Sequence, residues 1–175
     1  MQSFFVWMEA LPSSIALRES INGYPVLLTG HIVSMCLFVG LIAFWDMRLA
    51  GLALRGERIS TIPPRIFPWA LGLGFLISLV TGALLFYSQP MRYYTNFWFW
   101  LKMGMLILAG VNAAVFHVTT FQSIDKWDTA RVTPPAARFA GIFSLALWAG
   151  IIVTGRMTAY SGLVPQWWVD LGLGN

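Results

Sequence analysis

Four long runs of apolar residues, separated by short polar stretches, dominate the chain. A membrane crossing needs about 20 apolar residues to cover about 30 Å of hydrocarbon, and the runs at 24–45, 66–87, 97–119 and 139–156 all approach or exceed that length. The first meets no charge until Asp46 and Arg48. The second follows the Pro63–Pro64 stop and ends before Ser88, Gln89 and Pro90. The third is apolar except for Lys102, Asn112 and His117, and Arg138 and Arg156 mark the edges of the fourth. A helix satisfies its own backbone hydrogen bonds where no water is present. The pattern therefore predicts an all-α polytopic membrane protein, a four-transmembrane-helix bundle that takes in residues 1–175 as a single integral membrane domain.

Both ends of the chain read as interfacial segments. Phe4, Trp7, Met8 and Leu11 share one helical face, which suits a short helix lying flat on the headgroup layer, and the tail with Trp167 and Trp168 suits the same place. Residues 1–20 lack the basic start of a signal peptide and contain Glu9 and Pro12. Trp45, Trp69, Trp98, Trp100 and Trp127 fall near predicted span ends and are expected in the aromatic belt, with Trp148 alone in mid-span.

Composition narrows the function classes. Of 175 residues 58% are hydrophobic and 10% charged, against about 25% charged in a soluble domain, which argues against a water-soluble enzyme and against disorder. The basic residues stand singly between apolar runs and form no stripe, so nucleic acid is not an expected partner. Cys36 is the only cysteine, which excludes an intrachain disulfide and a cysteine-rich zinc site. Arg48, Arg55, Arg58, Arg65, Lys126, Arg131 and Arg138 lie on one side of the predicted topology, against Arg18, Arg92, Lys102 and Arg156 on the other. That bias places both termini on the non-cytoplasmic side.

Ionisable groups in hydrocarbon are costly and each is a functional candidate. Both histidines, His31 and His117, lie in predicted spans. At helical spacing His117 shares its face with Ala114, Ala113 and Gly110, a groove of small side chains in which a haem can lie while the imidazole supplies an axial nitrogen. The same stripe equally serves close helix packing, with His117 hydrogen-bonded across the contact. His31 has Met35 one turn on, a pair suited to Cu(I) with Met103 and Met105 as recruits, or else a histidine beside a space-filling methionine. The two histidines differ in predicted depth by about 20 Å, or about 10 Å if the span limits slip, so one iron cannot bridge them within a subunit. Lys102 and Arg156 either snorkel to the headgroups or, with Tyr93 or Tyr94, line a cationic pocket for a quinone or another carbonyl or anionic ligand. Asp46 and Arg48 read as an interfacial ion pair.

Two segments carry a resemblance. The stretch HIVSMCLFVGLIAFWDMRLAGLALR, with His31, Asp46 and Arg48 in a His…Asp-x-Arg-Leu pattern, resembles a family of small bacterial four-helix integral membrane proteins of unassigned function. TGALLF and NFWFWLKMGMLILAGVNAAVFH fit the same family, with Lys102, Asn112 and His117 in a Lys-x9-Asn-x4-His pattern. Lys102 and Asn112 are also similar to the Lys and Asn of the copper-resistance D membrane group. The resemblance covers roughly residues 31–120 and implies a bacterial inner-membrane protein in which Lys102 and Asn112 join the histidines at the site.

Three functions follow as expectations. The first is a redox subunit that binds haem b through His117, with His31 available for a second haem, and exchanges electrons between quinone and a periplasmic partner. The second is a copper-handling protein using His31, Met35 and neighbouring methionines, with His31 and His117 as metal ligands. The third is a cofactor-free structural subunit of a larger membrane complex or homo-oligomer, packed through its small-residue faces. In each the chain is an accessory subunit sooner than a stand-alone enzyme.

Overall fold

The computed structural model describes residues 2–61, 71–160 and 163–173, and among them every regular element is helical. The order is α1 (Gln2–Glu9), α2 (Pro12–Glu19), α3 (Gly23–Ala50), α4 (Gly72–Ser88), α5 (Pro90–Tyr94), α6 (Phe97–Val118), α7 (Pro135–Met157) and α8 (Gln166–Asp170), with short 3-10 turns at Ile59–Thr61 and Phe121–Lys126. Helices α3, α6 and α7 are long and apolar enough to cross a membrane, whereas α4 is apolar but shorter. The expected start of the second span, with Pro63–Pro64, Arg65 and Trp69, lies outside the described residues.

Local chemistry sets the helix limits. The apolar run stops at Trp45, but α3 continues through the buried Asp46 and Arg48 to Ala50 and is capped by Gly51. Gly51 adopts φ 72°, a left-handed conformation natural to glycine, and the amides of Gly51 and Leu52 return to the carbonyls of Arg48 and Met47. Asn96 caps α6, its Oδ1 accepting from the Trp98 and Phe99 amides at 2.9 and 3.4 Å. Pro135 opens α7 at the first helical position, where its missing N–H costs nothing.

The long helices pack in the order α4, α3, α7, α6. The remaining side, between α4 and α6, is open along most of its length among the described residues and closes where α4 ends and α6 begins, through the Phe86–Phe99 ring stack at 5.4 Å. At this terminal end α1 and α2 fold over the bundle. Phe5 packs on Phe86 and Tyr94, and the buried Ser14 hydroxyl donates to the Tyr87 carbonyl at 2.9 Å. Phe4 and Trp7 stay exposed. In the tail, Trp168 Nε1 donates to the Thr95 carbonyl at 2.9 Å and both Trp167 and Trp168 pack on Phe97.

The opposite, loop end holds a second core of Trp45, Leu49, Ile59, Phe116, Trp127 and Ala137. Trp45 and Trp127 are thus buried core residues and not members of a headgroup belt, because the two loops fold inward and cover them. Trp98 and Trp100 do sit at a span end, donating Nε1–H to the carbonyls of Leu163 and Tyr94. Arg48, fully buried, donates from Nε to the Glu57 carbonyl and from Nη2 to the Ala130 carbonyl, at 2.9 and 3.0 Å. No ion pair joins it to Asp46. At two residues apart the two side chains leave the helix in different directions, and loop carbonyls supply the arginine's acceptors.

Asp128 completes the loop clasp, accepting from the Ser60 amide and hydroxyl at 2.7 Å each. Burial pushes its carboxyl up, but the Ser60 donors, the Arg58 charge and the Ile59 amide outweigh this and hold it below the usual carboxylate range. A carboxyl lowered in the folded state contributes stability above its unfolded value and loses it as pH falls through the folded value. We expect the Ser60 amide to be protected from hydrogen exchange at neutral pH and to lose that protection in acid. Asp128→Ala should lose it already at neutral pH, and an Asp128→Ala amide as slow as wild type would show that the clasp carries no weight.

Candidate functional site

The two histidines occupy opposite ends of the bundle. The His117 ring packs on Trp45 at 5.7 Å between centroids, and Trp45 is fourteen residues beyond His31 along α3. At 1.5 Å per residue that is about 21 Å. His31 and His117 therefore belong to separate sites.

At the terminal end, His31 faces α4. Its Nδ1 lies 2.9 Å from the Thr81 hydroxyl, and that hydroxyl lies 2.6 Å from the Ile77 carbonyl, which can only accept. Thr81 gives its single proton to Ile77, so its oxygen receives Nδ1–H from His31. Nε2 consequently carries a free lone pair. The Ser78 carbonyl, 3.3 Å from the same hydroxyl, lies on the same side. Ser34 and Ser78 join α3 to α4 just below, 2.8 Å between hydroxyls. Residue 82 must be small, since a Cβ on Gly82 would come within 3.1 Å of the His31 ring carbon Cε1.

Lys102 extends from α6 to α7. Its Nζ comes within 3.8 Å of the point where a Gly155 Cβ would stand, so the absent side chain on α7 makes its berth. Arg156, the next residue, turns outward instead, donating to the Tyr160 hydroxyl at 2.9 Å and lying over that ring. The two cations thus turn to different neighbours. Tyr93 lies near Tyr24. Burial, then the Tyr24 hydroxyl, push its phenol up to about 12 against the lowering effect of Arg92, so it is neutral at physiological pH.

Met35, one turn beyond His31, packs with Met105 against the cluster of Ala109, Leu147 and Ile151 between α3, α6 and α7. No group of three or more His, Cys, Asp or Glu side chains able to hold a metal occurs among the described residues. Asn112 also has a packing role, donating Nδ2–H to the Ala140 carbonyl at 3.1 Å and tying α6 to α7.

At the loop end, His117 Nδ1 lies 2.9 Å from the Ala113 carbonyl. A carbonyl only accepts, so Nδ1 donates to it. Trp45, Phe116 and Phe121 surround the ring. Gly110, Ala113 and Ala114 are exposed on the same face, and nothing lies within 4 Å of a Cβ built on Gly110.

Thr81, Ser78, Gly82 and Gly155 escaped the reading of the sequence. Their signal was present in α4, where two hydroxyls and a glycine at spacings of three and one put polar and small residues together on an apolar helix. Gly155 carried none, since its role is to leave room for a side chain from another helix. No family model, no curated protein and no solved structure matches this chain.

Proposed function

We propose that the chain is a four-span redox subunit of the bacterial inner membrane, with both termini on the non-cytoplasmic side, and that it carries haem b on His117. The observation that carries this reading is the hydrogen bond from Nδ1 of His117 to the Ala113 carbonyl. In the neutral ring this bond leaves Nε2 as the ligand nitrogen, the arrangement that metal-bound histidines use. The open cradle of Gly110, Ala113 and Ala114 gives a flat macrocycle room beside it. Haem would supply one-electron exchange, while Trp45, Phe116 and Phe121 hold the imidazole plane. A fourth span is supported by the apolar sequence 66–71 preceding α4, and the orientation by the basic loops.

His31 is too far away to be the second axial ligand of the same iron, so a second ligand would come from another chain, making the protein a homo-oligomer or part of a larger complex. The exposed small-residue face also favours a second reading, in which α6 packs directly on a partner helix with no cofactor. A reduced-minus-oxidised absorbance spectrum of protein purified in mild detergent separates the two. We expect b-type bands that vanish in His117→Ala and persist in His31→Ala. A flat wild-type trace overturns the haem reading and leaves the packing subunit.

A further inference from the structure

We propose that Asp46 is a proton-binding site, its carboxyl carrying a proton while α3 and α7 are packed together and loosening their contact at the loop end when that proton leaves. The haem of His117 plays no part in it.

Asp46 is the one acidic residue in the four long helices, and it is 5% exposed. It stands just beyond the apolar run of α3, enclosed by the chain itself, so neither lipid nor bulk water sets its surroundings. Asp46, Leu49 and Ala50 form the face of α3 that meets α7, where a Cβ on Gly141 would stand 2.8 Å from the Asp46 carbonyl oxygen. A helical side chain leans toward the start of its own helix. Because α7 runs opposite to α3, the Asp46 carboxyl leans toward Ser144, which is one turn past Gly141 and also buried. Its Oδ2 is buried there and meets no hydrogen-bond partner among the described residues.

The charged groups around this contact are occupied elsewhere. On α3 itself, Arg48 gives Nε–H and Nη2–H to the Glu57 and Ala130 carbonyls. Arg138, the one charged residue of α7 near Gly141, is exposed. On α6, His117 turns Nδ1 to the Ala113 carbonyl, and α4 carries no charged residue. In the loops Asp128 holds Ser60 and lies close to the charge of Arg58. No ion pair reaches Asp46 among the described residues.

An ionised carboxylate in this place would be a buried charge with no counter-ion and one oxygen without a donor, an arrangement that folds seldom sustain. A proton removes the charge and lets the acid donate to a hydroxyl such as that of Ser144. A metal ion fits poorly as the occupant instead, since one carboxylate beside one hydroxyl falls short of the six or more oxygens a hard cation takes, and no cluster of three or more His, Cys, Asp or Glu occurs among the described residues. In the unfolded chain Asp46 ionises in water at neutral pH. The folded state therefore holds one more proton, and stability falls as pH rises. A charge left at the crossing is hydrated only if α3 and α7 part, which draws Leu49 from Ala137 and opens the core over Trp45 and Trp127.

The test uses the full-length protein in detergent micelles. Infrared absorption at neutral pH should show a carboxylic-acid C=O band that shifts on deuteration and is missing from Asp46→Asn. Protease cleavage within residues 51–61 and 119–134 should then accelerate as pH is raised, reaching at least tenfold the rate of Asp46→Asn at the same alkaline pH, because the asparagine stays neutral throughout. A wild-type spectrum without the band overturns the proposal, as does the same band in Asp46→Asn. Equal cleavage of the two proteins at every pH overturns it too. Should Asp46→Asn not fold, Ser144→Ala keeps the acid and removes the hydroxyl beside it, so the band should move, and a band left in place belongs to another acid and overturns the assignment.

Discussion

Gly141→Val should be among the most damaging single substitutions in the transmembrane core, and the reason is backbone contact. A Cβ at residue 141 would stand 2.8 Å from the Asp46 carbonyl oxygen, 2.9 Å from Leu49 Cβ and 3.1 Å from the Ala50 amide. Two of these neighbours are main chain and cannot rotate away. The helices α3 and α7 must separate, and the buried Leu49 and Ala137 lose contact with their neighbours as they do so. Overpacking typically costs about 1–3 kcal/mol, and we place Gly141→Val at the upper end because the backbone is struck. Gly141→Ala should cost less. Gly104→Ala, at an open site, is the control and should be neutral or slightly stabilising, as alanine is the better helix former. Thermal unfolding in detergent orders the three, and a Gly141→Val protein as stable as Gly104→Ala would remove the close crossing.

The contrast between Gly141 and Gly104 also shows where sequence reading stops. Apolar runs of sufficient length made α3, α6 and α7 legible, since lipid permits little else for such segments. Spacing along one helix placed His117 with Gly110, Ala113 and Ala114, because a single helix fixes which residues share a face. Relations between helices were not legible. Lys102 and Arg156 looked alike at the ends of two spans, yet the glycine at 155 draws one inward while Tyr160 holds the other out. Trp45 and Trp127 satisfied the rule for an aromatic belt, and only the inward fold of the loops made them core. His31 and Met35 stand one turn apart on α3, and only the neighbouring helices give His31 its hydrogen bond with Thr81 on α4 and Met35 its packing against α6 and α7. In each case the deciding atom belongs to a residue distant in sequence, and one-dimensional periodicity carries no term for it.

Arg48 is the strongest instance, and its removal should release the loop end. The guanidinium is 0% exposed and reaches two segments of chain at once, Glu57 in the first loop and Ala130 in the second. In Arg48→Met the alkyl stem is approximately replaced, while both carbonyls lose a charged donor. Hydrogen bonds to charged groups are worth about 1.5–3 kcal/mol each when buried. Glu57 and Ala130 are reached by some water, and Nη1 of Arg48 itself makes no hydrogen bond, so we expect a net loss of about 2–3 kcal/mol. The location of the loss is the sharper expectation. Residues 51–61 and 119–134 should become accessible to protease together, while the Phe5, Phe86 and Phe99 cluster at the far end keeps its protection. Arg55→Met removes an exposed arginine that bonds only its own helix end, from Nε to the Gly51 carbonyl, and should lie within about 0.5 kcal/mol of wild type. If the Arg48 and Arg55 variants unfold at the same temperature and resist protease equally, the buried guanidinium does not hold the two loops together, and the core over Trp45 and Trp127 stands by apolar contact alone.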